Sequence, residues 1–118
     1  MQFLLLIQGD EAEWAKATEA EKKATFSKYM AYSQELQRAG VMRSGEPLRD
    51  SSTGARVQVR AGKTRVVDGP FTESKEVLGG FYLVECASKD EAVKWAAKCP
   101  GAEYGTMEVR EIMVFPKG

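Results

Sequence analysis

A chain of 118 residues that is 43% apolar has the size and composition of one domain with an ordinary core, and residues 1–118 read as a single domain. Seventeen basic and seventeen acidic side chains cancel and are interspersed, which leaves no global field for nucleic acid or an anionic membrane. There is no histidine, and Cys86 and Cys99 lie thirteen apart with no Cys-x-x-Cys, so the sequence offers neither a zinc site nor a disulfide framework; no metal or cofactor is expected and both thiols read as buried.

The opening run Phe3-Leu4-Leu5-Leu6-Ile7 is continuously apolar and reads as a central strand buried on both faces. It is too short to cross a bilayer and lacks the basic lead of a secretory signal, so a cytoplasmic protein is expected. Asp10 to Ala17 reads as a loop or short helical turn, with Trp14 covering core or capping a pocket. From Thr18 the pattern turns helical. Thr18-x-x-Glu21 is a capping box, Phe26, Tyr29, Met30, Ser33, Leu36 and Gln37 recur at three and four, and Gly40 supplies the stop.

Val41 to Leu48 reads as a second strand with a kink or close approach at Gly45, and Arg49 to Gly54 as a polar loop. A hairpin follows, Arg56 to Arg60 alternating, Ala61-Gly62 turning, and Lys63 to Val67 returning, with its valines inward and its arginines toward water or a cleft. The Gly79-Gly80 pair opens a strand from about Phe81 to Cys86 and reads as a bulge or as a point where a ligand or second backbone comes close. Ser88-Lys89-Asp90-Glu91 caps a second helix whose buried side is Ala92, Trp95, Ala96 and Cys99, ending at Pro100-Gly101. Gly105 to Phe115 is the last strand, and Pro116 to Gly118 a loose tail.

Between the hairpin and the Gly79-Gly80 strand lies a stretch dense in turn residues and charge. Asp68 ends a β-branched run immediately before Gly69-Pro70, where regular pairing must stop. Its carboxylate has two readings: a turn residue accepting from the next backbone amides, or a rigidly held acid or base facing a cavity. Asp68-Gly69-Pro70-Phe71, followed by Glu73, Lys75-Glu76, Leu78-Gly79-Gly80-Phe81-Tyr82 and then Ser88-x-Asp90-Glu91-Ala92, resembles the signature of the YCII-related, DGPF-domain family, and both ends of the chain are similar to that family's ends. The resemblance implies a ferredoxin-like α+β chain of the dimeric α/β-barrel type, from a family mostly without assigned activity. An Asp, and in the YCII branch a His, line a pocket there. Only Asp68 carries over; without histidine a His–Asp pair cannot operate here.

The element order suits a split βαβ arrangement, an antiparallel sheet with an extra hairpin and two helices on one face. The first strand is apolar on both faces, and no third helix covers the second face, so a homodimer with facing sheets is expected. Two functions stand open. In the first, a small enzyme uses Asp68 as acid or base on a small organic molecule, neutral or anionic, by elimination, isomerisation or proton transfer, with Arg43 or Arg65 neutralising an anionic substrate and Tyr82 donating a hydrogen bond. Nothing here forms a Ser-His-Asp set or a phosphate-binding loop. In the second, a non-catalytic dimer binds a small ligand or regulates a partner, and by resemblance alone that partner would be a transcription-initiation factor.

Overall fold

A computed structural model describes residues 1–116 of the chain. The apolar opening run becomes β1 (Gln2–Gly9), and a short helix, α1 (Glu11–Ala15), follows directly because the Asp10 carboxylate accepts from the amides of Ala12 and Glu13. The long helix α2 (Glu19–Arg38) starts as its sequence demands. Thr18 Oγ1 accepts from the Glu21 amide at 3.1 Å while the Glu21 carboxylate accepts from the Thr18 amide at 2.9 Å, and that second bond holds Glu21 below its ordinary pKa.

The strand β2 (Met42–Pro47) precedes a single 3-10 turn (Ser51–Thr53), and the hairpin is β3 (Ala55–Arg60) and β4 (Lys63–Asp68). Ala61 and Gly62 both take positive φ at its turn, the backbone a two-residue hairpin needs. Then come β5 (Val77–Glu85), α3 (Lys89–Lys98), a one-turn helix α4 (Gly101–Tyr104) that the sequence did not announce, and β6 (Thr106–Glu111). At α3 the cap differs slightly from the expected box: Ser88 Oγ accepts from Glu91, but the Glu91 carboxylate takes the amide of Ala87.

Four strands form one antiparallel sheet in the order β2-β5-β1-β6, with α2 and α3 on one face, and β3-β4 stands as a separate two-stranded ribbon. This is the ferredoxin-like α+β architecture, two β-α-β halves interleaved, with the hairpin inserted between them. The core lies between sheet and helices. Phe3, Leu5, Tyr82 and Val84 meet Tyr32 and Leu36 of α2, Ala92 and Ala96 of α3, and Cys99 at the end of α3, all buried. Both cysteines are free and buried, and burial raises both thiols.

Alternation along the strands leaves a second apolar set on the opposite face. Leu4, Leu6, Phe81 and Leu83 stay half-buried there, although their chain neighbours are sealed. No element of the described residues covers this face. The molecule is accordingly thin, 52 × 45 × 18 Å, and its radius of gyration of 16.4 Å exceeds the about 13.5 Å of a compact chain this long.

Three expectations need correction. Phe26 and Met30 are 57% and 65% exposed, and the buried stripe of α2 is Tyr29, Tyr32, Ser33 and Leu36, rotated about one residue because Phe26 packs edge-on against Trp14 at 5.8 Å on the outer surface. The hairpin valines do not face inward: Val57, Val59 and Val66 are about 60% exposed, since the ribbon stands off the main sheet. The last strand stops at Glu111, and Met113, Val114 and Phe115 are exposed. Its sole neighbour β1 runs out, Phe3 pairing with Glu111 and Gln2 taking the Ile112 amide, so further pairing has no template. Of the expected loose tail, Lys117 and Gly118 fall outside the described residues.

Several glycines are set by crowding. Register slips one residue at Gly79, the anticipated bulge, and a Cβ on neighbouring Gly80 would stand 3.1 Å from the Glu46 carbonyl oxygen of β2. At Gly105 an added Cβ would lie 2.1 Å from the Gln8 carbonyl oxygen, and the atoms it would meet are all backbone of Gln8 and Gly9, which cannot swing aside. Gly105→Ala should therefore cost about 2–3 kcal/mol and lower the unfolding midpoint by roughly 8–12 °C. A midpoint within about 2 °C of the parent by calorimetry would show that β1 and β6 do not pack there as described.

Candidate functional site

The four residues singled out in the sequence are not brought together. Asp68 closes β4 opposite Ala55 and is exposed. Its carboxylate makes no hydrogen bond or ion pair among the described residues, because the amides it was expected to cap are taken elsewhere: Gly69 N–H donates to the Gly54 carbonyl at 2.9 Å and Phe71 N–H to Ser51 Oγ at 3.3 Å. Antiparallel register puts Asp68 on one face of the ribbon with Ala55, Val57, Val59 and Val66. Arg65 points to the other face, with Arg56, Gln58, Arg60 and Val67. Asp68 and Arg65 of one chain cannot grip the same small molecule from one side.

Arg43 is the extra residue where β2 slips register against β5, and its guanidinium folds back to the carbonyls of Gly40 and Met42 at 3.1 and 3.4 Å, closing the C-terminal end of α2. Tyr82 belongs to the core. Its hydroxyl shares a 2.8 Å hydrogen bond with Ser33 Oγ, its ring stands edge-on to Tyr32 at 5.2 Å and burial raises its pKa. The close approach expected at Gly45 is to this ring, 2.7 Å from where a Cβ would sit.

What the structure assembles instead is the root of the hairpin. The Glu11 carboxylate accepts from Ser51 twice, from its amide and its hydroxyl, both at 2.6 Å, and Ser51 Oγ in turn accepts from Phe71. A Cβ at Gly69 would lie 1.8 Å from the Ser51 carbonyl oxygen, so only glycine permits this contact. The Arg56 guanidinium lies 3.8 Å over the Phe71 ring and ion-pairs with Glu73. Asp50 caps the 3-10 turn through Ser52, whose hydroxyl chiefly holds that carboxylate below its ordinary pKa; Glu73 is held low by its own amide and then by Arg56. The Asp-Gly-Pro-Phe turn is thus clamped through its Gly and Phe, while its Asp is left free.

Beside this clamp is an open cleft of about 480 Å³ between the hairpin root and the β2–β5 edge. Leu48, Val77 and Leu78 form its apolar wall, Phe71 and Arg56 its hairpin side, and Arg49 its rim. Sequence reasoning missed Glu11, Ser51 and Phe71 as a unit. The only local signal was the Asp50-Ser51-Ser52-Thr53 run, a cap-forming composition inside what read as a plain polar loop. Among the described residues no group of three or more His, Cys, Asp or Glu is placed to hold a metal ion, and no helix is long and apolar enough to cross a membrane.

Glu11→Gln should weaken the clamp by about 1–2 kcal/mol, since two charge-assisted bonds become neutral ones. Acid should loosen the same region. The folded-state pKa values of Asp50 and Glu73 lie below their unfolded values, so their contribution is complete above the ordinary carboxylate range and is lost as pH falls through the lowered values. The amide resonances of Ser52 and Glu73 should move below about pH 4 before those of β1 do, and a simultaneous change throughout the chain would refute the local reading.

The YCII-related domain matches residues 1–116. An uncharacterised protein of Rhizobium meliloti is 32% identical over 120 residues, covering 100% of this chain and 97% of that one. Among solved structures, the 5-chloro-2-hydroxyhydroquinone dehydrochlorinase of Burkholderia phenoliruptrix, in complex with 2,5-dihydroxybenzoquinone, superposes with a TM-score of 0.53 at 16% identity, over 96% of this chain and 94% of its own. That likeness shows the fold. With the domain matched almost end to end and a full-length relative alongside, the chain belongs to the YCII-related family.

Proposed function

We propose that this protein is a homodimeric enzyme for a small organic molecule, with Asp68 as its general base and with the second subunit completing the site. The observation that carries the proposal is the setting of Asp68: a carboxylate with no partner among the described residues, at the base of a ribbon face that also carries exposed Ala55, Val57, Val59, Thr64 and Val66. An apolar ribbon face and the half-buried Leu4, Leu6, Phe81 and Leu83 of the sheet are surfaces that a second copy would bury, and desolvation beside Asp68 is what makes a carboxylate a usable base. The reaction suited to a lone carboxylate is proton abstraction from a site already acidified by the substrate, followed by departure of a leaving group or return of the proton to another atom. In the first case the electron pair left by the proton moves into the substrate and expels the leaving group as an anion; in the second nothing leaves and an isomer results. The related fold of a dehydrochlorinase makes an elimination the first reaction to try.

The second reading, a dimer that binds without catalysis, draws on a different observation. Within one chain the arginines and Asp68 face opposite ways, so the charged cleft at the hairpin root has no unpartnered carboxylate pointing into it from β4. The two readings separate on turnover. Incubated with 5-chloro-2-hydroxyhydroquinone and related halogenated hydroxyquinols, the parent protein should release halide, and Asp68→Asn should reduce the rate at least about a hundredfold while keeping the unfolding midpoint. Undiminished turnover in the variant would remove Asp68 from the chemistry. Calorimetric binding with no halide release and no deuterium uptake from D2O would favour the binding dimer.

A further inference from the structure

The cleft at the hairpin root is separate from the Asp68 face, and its charges are unevenly committed. Of its two acids, Asp50 is engaged with Ser52 and Glu76 accepts from Thr106 Oγ1 at 2.9 Å, while the guanidinium of Arg56 is paired with Glu73. Arg49 has no hydrogen bond or ion pair among the described residues, and neither does the hydroxyl of Ser74. The cleft therefore presents one unspent cation and one unspent hydroxyl above an apolar wall of Leu48, Val77 and Leu78, with the Phe71 ring fixed at its side beneath Arg56. A volume of about 480 Å³ lies within the usual range for small-molecule sites.

We propose that this cleft binds a small amphipathic carboxylate, its anionic end on Arg49 and Ser74 and its apolar body, an aromatic ring or short chain, against Leu48, Val77 and Leu78. Each half of such a ligand answers one half of the cleft. An inorganic anion would leave the apolar wall wet, and a neutral hydrocarbon would leave Arg49 unanswered. The walls come from the segment after β2, the 3-10 turn, β3, the Phe71 loop and the start of β5, and the Glu11–Ser51–Phe71 hydrogen bonds hold the turn and the Phe71 loop to α1, so occupancy should also steady the hairpin against the sheet. This site goes beyond the reaction proposed for Asp68 and does not depend on it, because the Arg56 face of the ribbon looks toward the cleft and the Asp68 face away.

The test is a titration of the full-length protein with benzoate, followed by amide chemical shifts, beside matched titrations with inorganic phosphate and benzyl alcohol. Benzoate should saturate, moving the amides of Ser51, Phe71, Ser74 and Val77, while the two controls bind at least about tenfold more weakly. Arg49→Gln should weaken benzoate roughly tenfold, and Leu78→Glu should abolish its binding; both positions are exposed enough to be replaced without unfolding, which circular dichroism checks. Asp68→Asn should bind benzoate as the parent does. The proposal is overturned by no saturation up to about 10 mM, by shifts confined elsewhere, by phosphate binding as well as benzoate, or by equal binding in both cleft variants. Weakening by Asp68→Asn alone would move the ligand to the opposite face, and would contradict this site while leaving the catalytic proposal standing.

Discussion

The bare second face of the four-stranded sheet is the constraint from which the other features of this chain follow. Strand β1 alternates between a sealed set, Phe3 and Leu5, and an unsealed set, Leu4 and Leu6, and β5 repeats this with Tyr82 and Val84 against Phe81 and Leu83. Both helices are already committed to the first face. At about 25 cal/mol per Å² of apolar surface, a row of half-buried large side chains is a substantial free energy left unrealised in one chain. The hairpin adds to it, since its valine face also lies open and its departure from the sheet expands the molecule beyond a compact radius.

The hairpin is held at its root by polar contacts, with no apolar core of its own. Glu11 reaches from the short helix after β1 to Ser51, and Ser51 reaches on to the Phe71 amide, so one carboxylate and one hydroxyl connect three separate stretches of chain. This arrangement fixes where the ribbon leaves the domain but gives its tip nothing to rest on. It also assigns the parts of the Asp-Gly-Pro-Phe turn: Gly69 permits contact with Ser51, Phe71 carries Arg56, and Asp68 serves neither purpose. A residue excused from the structural work of its own turn is available for chemistry, which is why the catalytic proposal rests on Asp68 and not on the better-connected acids around it.

Much of the fold was legible in the sequence because its signals are local. Thr18 with Glu21, Ser88 with Glu91, the Ala61-Gly62 turn and the Gly79-Gly80 bulge each depend on residues within a few positions of one another, and all appear where the residue types place them. The buried stripe of α2 was misread because Phe26 and Met30 fit a helical repeat as well as Tyr29, Tyr32 and Leu36 do; what separates them is Trp14, which gives Phe26 an outer partner. The residues of the candidate site were the least legible. The link from Glu11 to Ser51 spans forty positions with no periodicity to mark it, and the partner of Tyr82, the hydroxyl of Ser33, comes from an element forty-nine positions away.

If a second copy completes this molecule, the open sheet, the unsupported ribbon and the unpartnered Asp68 have one explanation. The direct measurement is the molar mass of the protein at micromolar concentration, by light scattering coupled to size exclusion. Twice the 13.0 kDa of the single chain is expected, holding on dilution through the micromolar range. A mass of one chain under those conditions would contradict it, leaving the apolar face exposed and Asp68 without the partner that the proposed chemistry requires.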